Sequence, residues 1–183
     1  MKTFAVIDTN VIVSAMLTHN QESPTRFIIE KVRLGQIIPM TNKQIMEEYV
    51  EVLSRSKFKL NPEAIQDVKC LFEVRGVHLV PETSEHPFID PDDYIFYATY
   101  LLKEDAYLVT GNLRHYPVEP RIIPPADMMR IIKLSETSAG NGSKPAARTA
   151  SHVATNVVAG TITLSFFFKT PIIIITKIIK RII

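Results

Sequence analysis

Residues 1–134 repeat one pattern: a short apolar run, a polar break, then a segment with apolar residues at helical spacing. The first instance is the clearest. Phe4-Ala5-Val6-Ile7 stops at Asp8-Thr9-Asn10, and a second apolar segment, Val11 to Leu17, follows. Apolar runs without alternation suit strands covered on both faces, the condition of a parallel sheet. Parallel strands need long crossover connections, usually helical, and the intervening segments supply them. The expected fold class is therefore α/β, a three-layer α/β/α sandwich around a parallel sheet.

The start and stop signals agree with that pattern. Ser23-Pro24 predicts an N-cap and first helical position, for a helix through Phe27, Ile28 and Val32 to Leu34 with Gly35 as its stop. Gln36 to Met40 reads as the second strand. Thr41-Asn42 opens a helix with Ile45, Met46, Tyr49, Val52 and Leu53 on one face. Asn61-Pro62-Glu63 starts another, with Ile65, Val68, Leu71 and Phe72. Val77 to Val80 reads as the third strand, closed by Pro81. Asp90-Pro91-Asp92-Asp93 starts a helix bearing Ile95, Phe96, Ala98 and Leu102. Ala106 to Val109 and Ile122-Ile123 read as strands four and five, and Pro125-Ala126-Asp127 opens a final helix to Ile132.

Charge divides the chain. Residues 1–134 hold 15 Lys+Arg and 18 Asp+Glu, a net −3, while residues 135–183 hold 6 and 1, a net +5. The basic character comes from the tail, so nucleic acid meets the globular part through a local patch or through metal ions. We read residues 1–134 as the folded domain, 135–152 as a flexible Ser/Ala/Gly/Thr/Asn-rich linker, and 153–183 as an apolar, Ile-rich tail. The uncharged stretch Val153–Phe168 is 16 residues long, against about 20 for a spanning helix. A membrane anchor therefore ranks below an accreted or aggregation-prone extension. A single cysteine, Cys70, excludes an internal disulfide framework and suits a reducing compartment. It reads as a small buried hydrophobe. The chain opens on a strand pattern, so the expectation is a cytoplasmic protein.

Ligands of open α/β sheets bind just beyond the carboxyl ends of the strands. Asp8 follows the first strand there, although Asp is also a good helix N-cap. Thr110 and Asn112 follow the fourth strand, and Asp90, Asp92 and Asp93 stand at the start of a helix. On the helix with Tyr49, Val52 and Leu53 turned inward, Glu48 lies beside the core face and Glu47 and Glu51 look to solvent. Carboxylates gathered at one edge repel one another, and a divalent cation resolves the repulsion. Oxygen ligands select Mg²⁺ or Mn²⁺ over zinc. Two such ions about 4 Å apart activate water and stabilise the leaving oxygen in phosphodiester hydrolysis.

These segments resemble a known family. Val6-Ile7-Asp8-Thr9-Asn10-Val11, Glu48-Tyr49-Val50, Asp92-Asp93-Tyr94-Ile95-Phe96-Tyr97-Ala98 and Leu108-Val109-Thr110-Gly111-Asn112 look like the ordered motifs of PIN-domain nucleases. Their spacing is similar to that of the prokaryotic subgroup regarded as toxins of toxin–antitoxin pairs. The resemblance implies a Mg²⁺- or Mn²⁺-dependent ribonuclease that forms a homodimer and is inhibited by a cognate antitoxin. By motif position it implies Asp8, Glu48 and Asp93 as metal-binding acids, Thr110 as a hydroxyl near the metal-bound water, and Thr9 or Asn10 as orienting Asp8. Asn112 stands where many members carry a fourth acid, so it is the weaker ligand. Arg114 is a candidate for holding a phosphate. Arg55, Lys57 and Lys59 form the best local basic cluster, with Phe58 interleaved as a stacking platform or else packed inward.

The leading expectation is a metal-dependent endoribonuclease toxin acting on RNA. A second reading keeps the fold but drops turnover, leaving an RNA- or partner-binding module with a weakened metal site. A third, phosphoryl transfer through Asp8 as nucleophile, lacks a phosphate-binding lysine near the site and ranks last.

Overall fold

A computed structural model describes residues 2–81 and 91–140. Five strands form one sheet in the order β3-β2-β1-β4-β5: β1 (Thr3–Ile7), β2 (Ile37–Thr41), β3 (Val77–His78), β4 (Tyr107–Val109) and β5 (Ile122–Ile123). Every pairing is parallel, with Ala5 opposite Pro39 on one side and Tyr107 on the other. Ala5, Val6 and Ile7 are all fully buried although successive side chains point to opposite faces. Both faces of β1 are therefore covered, and the α/β/α layering expected from the apolar runs is realised.

Six helices provide that cover: α1 (Thr9–Leu17), α2 (Pro24–Arg33), α3 (Lys43–Leu53), α4 (Pro62–Arg75), α5 (Pro91–Leu101) and α6 (Pro125–Gly140). Their starts follow capping chemistry. Asn42 accepts from the Ile45 amide at 2.9 Å, and Asn61 accepts from the Glu63 amide at 2.9 Å ahead of Pro62. After α2, Gly35 takes φ +70°, a conformation open to glycine at little cost, and turns the chain into β2. The core gathers Ile7, Ile12, Ile28, Ile37, Tyr49, Phe72, Phe96 and Leu108 around the sheet. Tyr49 meets Phe72 edge-on, ring centroids 5.3 Å apart, and lies 6.2 Å from Phe96.

Four details differ from the sequence reading. Cys70 is exposed, because it lies two residues before buried Phe72 and so on nearly the opposite side of α4. Leu102, expected on the apolar face of its helix, follows α5 and is 46% exposed. The third strand ends at His78: it is a sheet edge with both residues exposed, and only the Leu79 amide extends its contact, bonding the Thr41 carbonyl at 2.8 Å. Finally, α6 continues past Ile132 to Gly140, taking up residues whose composition suggested a linker. Ser135, Thr137 and Ser138 donate back to the carbonyls of Ile132 and Leu134, and Glu136 pairs with Lys31 at 2.5 Å and accepts from Gln36 at 3.0 Å. Glu136 thereby ties the extended end of α6 to α2 and to the residue before β2. The tail at 153–183, and Asp90 with it, lie outside the described residues.

Candidate active site

The carboxyl ends of β1 and β4 bring the first residues together. The ladder that pairs Ile7 with Val109 continues one step, as the Asp8 amide donates to the Val109 carbonyl at 2.9 Å. Parallel register thus sets Asp8 beside Thr110. Asp8 caps α1 as well: one carboxylate oxygen accepts from the Asn10 amide at 3.0 Å. The other accepts from Thr110 Oγ1 at 2.7 Å and from the Tyr116 hydroxyl at 3.2 Å. The cap and the site residue are one and the same carboxylate.

Thr110 is fully buried and fully engaged. Its single O–H donates to Asp8, while its oxygen accepts from the Asn112 amide at 2.9 Å and from Asn10 Nδ2 at 3.3 Å. A threonine hydroxyl has one proton and two lone pairs, and all three are used. Thr110 therefore serves Asp8. Asn10 closes the loop through its carbonyl oxygen, which accepts from the Gly111 amide at 2.8 Å; a Cβ on Gly111 would stand 3.1 Å from that oxygen. Asn10 links α1 to the β4 loop in this way.

Glu48 is half-buried on α3 and accepts from Thr9 Oγ1 at 2.6 Å, while Glu47 and Glu51 are exposed. Of Thr9 or Asn10, either of which could orient Asp8 by sequence, it is Asn10 that bonds Asp8, while Thr9 holds Glu48. Next to Glu48, the Tyr49 hydroxyl donates to the Ile7 carbonyl at the end of β1, so α3 is hooked to the strand that carries Asp8. Burial pushes the Tyr49 phenol well above its ordinary range, and the charges of Asp8 and Glu48 add to that.

Asp93 stands in the first turn of α5, half-buried. Its Oδ2 lies 2.7 Å from His115 Nδ1, and its Oδ1 lies 3.5 Å from the Tyr116 hydroxyl. His115 Nε2 in turn lies 2.6 Å from Asn112 Nδ2, and Asn112 Oδ1 accepts from Arg114 Nε at 3.0 Å. These four side chains surround a 3₁₀ turn, Leu113–His115.

Tyr116 is where the pieces meet. It is buried, and its hydroxyl reaches both Asp8 and Asp93. Burial raises its pKa far above the usual phenol value, and the charges of Asp8 and Asp93, the bond to Asp8 and the charge of Glu48 push in the same direction. Two carboxylates from separate elements meet at one hydroxyl. Sequence reasoning passed over this residue; its signal was a tyrosine directly after a polar loop, since a buried phenol needs a partner for its hydroxyl. Tyr49 was read as core alone, and its hydroxyl hook was likewise missed.

The basic cluster lies at the far end of α3 and beyond it. Arg55 pairs with Glu51 at 2.9 Å, Lys57 Nζ sits 4.8 Å over the Phe58 ring, and Lys59 takes the left-handed backbone at φ 52°. Phe58 is half-buried, one face under Lys57.

The sequence model of the PIN domain matches residues 5–114, more than half of the chain. This chain belongs to the PIN domain family. The matched span of this PIN domain holds Asp8, Glu48, Asp93, Thr110 and Asn112, and stops before His115 and Tyr116. No curated protein matches the chain. PIN domains are typically nucleases and generally bind divalent metals. Among the described residues, no group of three or more His, Cys, Asp and Glu side chains stands close enough to hold a metal unaided. The donor set nevertheless fits a hard cation in kind, being carboxylate oxygens, and those of Asp8 and Asp93 meet at the Tyr116 hydroxyl. Asp8, Glu48 and Asp93 are the side chains that would hold it. Among the described residues no helix is long and apolar enough to cross a membrane.

Proposed function

We propose that this PIN domain is a Mg²⁺- or Mn²⁺-dependent endoribonuclease, the toxin of a toxin–antitoxin pair. The observation that carries the reading is the meeting of Asp8 and Asp93 at the Tyr116 hydroxyl, with Glu48 held by Thr9, the residue next to Asp8. The order of the four motifs supports RNA as substrate, a cognate antitoxin as partner and a homodimer as the assembly. A bound divalent cation would supply Lewis acidity and a nucleophilic water for phosphodiester hydrolysis. This chain's part is to hold three carboxylates in place: Thr110 and Asn10 for Asp8, Thr9 for Glu48, His115 for Asp93. Arg114, on the exposed side of the 3₁₀ turn, retains guanidinium donors beyond Nε for a substrate phosphate. Arg55 and Lys57 would contact the backbone further along the strand. Residence in the cytoplasm follows from the same reading.

One observation favours the second reading, a binding module with weakened turnover: both ends of the Asn112 amide are engaged by Arg114 and His115. A single experiment separates them. Full-length protein is incubated with RNA and, in parallel, DNA, with Mg²⁺, Mn²⁺ or a chelator. Metal-dependent RNA cleavage that disappears in Asp8→Asn is the expected result. RNA binding that persists in Asp8→Asn without cleavage by the parent identifies the binding module, and DNA cleavage alone overturns the ribonuclease assignment.

A further inference from the structure

Four side chains beside the site form a directed chain. Arg114 can only donate, so the Asn112 amide must present its oxygen to Nε, which it does at 3.0 Å. The amide nitrogen then faces His115, 2.6 Å from Nε2. An amide nitrogen can only donate, so Nε2 must accept and carries no proton. The imidazole proton is left for Nδ1, which points at Asp93 Oδ2 at 2.7 Å. Each donor is thereby fixed by the one before it, starting from the arginine.

We infer that Asn112 and His115 are a positioning relay for Asp93, in which His115 keeps its proton on Nδ1 and spends it on the Asp93 carboxylate. With Oδ2 held by His115, Asp93 turns Oδ1 toward Tyr116 and the Asp8 carboxylate. A cation-binding carboxylate works best when one oxygen is anchored by an outer partner. The relay gives Asn112 a task independent of metal ligation, and it gives His115 a task at all. The inference rests on reading Asp93 as a cation ligand, and the test keeps the two apart.

The first measurement uses the full chain labelled with ¹⁵N, without metal or RNA, at a pH where ordinary imidazoles are neutral. Long-range ¹H–¹⁵N spectra report which ring nitrogen bears the proton, and the His115 signals are found by their loss in His115→Asn. The expected pattern is Nδ1–H, the minority form of a free imidazole; an Nε2–H pattern or an imidazolium overturns the relay. The second measurement is Mn²⁺ affinity without RNA. His115→Ala should bind Mn²⁺ about tenfold more weakly, as for loss of an outer-shell partner. His115→Asn, which restores a donor near the place of Nδ1, should recover most of that loss. Equal affinity in His115→Ala and the parent overturns the positioning role alone. A parent that binds no Mn²⁺ overturns the metal reading and the positioning role together, while the tautomer still reports on the parent.

Discussion

Asp8 stands at the end of a strand and is fixed by backbone register, a helix cap and a buried threonine, whereas Asp93 is fixed through side chains of the half-exposed turn after β4. The first arrangement belongs to the sheet: nothing short of disturbing β1 or β4 moves Asp8. The second depends on His115, Asn112 and Arg114, each of which can change rotamer without unfolding anything. One acid is therefore a rigid fixture and the other an adjustable one. The difference suits a site that must admit a cation and a substrate between two like charges, because one wall stays fixed while the other adapts.

The sharpest way to break this comparison is to remove charge on the rigid side. Asp8→Asn keeps an N-cap oxygen for the Asn10 amide, so the fold should survive. Metal-dependent RNA cleavage should fall by more than about 100-fold, the upper end of what losing a mere outer-shell partner costs. Steady-state cleavage by both proteins, alongside their thermal unfolding, checks this. Cleavage reduced only a few-fold would place the rigid acid outside the chemistry.

A second experiment contrasts what holds each acid. Thr110→Val preserves shape but leaves the Asn112 amide and Asn10 Nδ2 without their acceptor, and Asp8 Oδ2 with the Tyr116 hydroxyl alone. Stranded buried polar groups cost about 1–3 kcal/mol each when no water reaches them, so a loss of at least about 2 kcal/mol in unfolding free energy is expected. His115→Ala, on the half-exposed side, should cost under about 1 kcal/mol, because water replaces the lost partner. Chemical denaturation of both variants tests the ordering. Equal costs would mean that the two acids are held alike after all.

The same contrast explains what was legible beforehand. Asp8, Thr110 and Glu48 occupy positions dictated by strand ends and by helical spacing, both of which are periodic in sequence. Asp90, Asp92 and Asp93 stand together at one helix start, and only the resemblance to the family motif singles out Asp93. His115 and Tyr116 come from a turn whose path follows no period, and their partners lie 22 and 108 residues away in the chain. Turn geometry and long-range side-chain bonds leave almost no local signal, so the sequence does not reveal Tyr116 as the residue that joins Asp8 and Asp93. Thr9 and Thr110 show a related limit: spacing put the hydroxyls near the site, but only donor and acceptor accounting shows which group each one bonds. Cys70 failed more simply, because its neighbours Leu71 and Phe72 suggested burial while the helix turned it outward.

The adjustable side carries one further tie. Tyr97 and Tyr100 on α5 donate to the two oxygens of Glu119, at 2.6 and 2.8 Å, and so bind the helix that bears Asp93 to the segment that follows Tyr116. Both tyrosines remain neutral in that clamp. Replacing both by Phe strands one carboxylate at a partly exposed position and should cost about 1–2 kcal/mol. It should also lower Mn²⁺ affinity less than His115→Ala does, since the clamp touches Asp93 only through the helix. A larger effect on Mn²⁺ than that of His115→Ala would make the clamp, not the relay, the main support of Asp93.

Alkali offers the gentlest probe of the same tie. Burial, then the bond to Glu119, raises both tyrosines to about 12, against about 10 in an unfolded chain. Protons thus bind the folded state more tightly than the unfolded one, and the clamp's contribution is complete below about pH 10 and declines as pH rises toward about 12. Tyr49 and Tyr116, raised further by burial and by the carboxylates, add to the same decline. The share that belongs to the clamp is the part that disappears with its two hydroxyls. Unfolding free energy measured from pH 9 to 12 should slope downward in the parent, and the slope should flatten in the Tyr97→Phe/Tyr100→Phe variant. An unchanged slope would move the alkaline sensitivity elsewhere in the fold and leave the two sides equally firm.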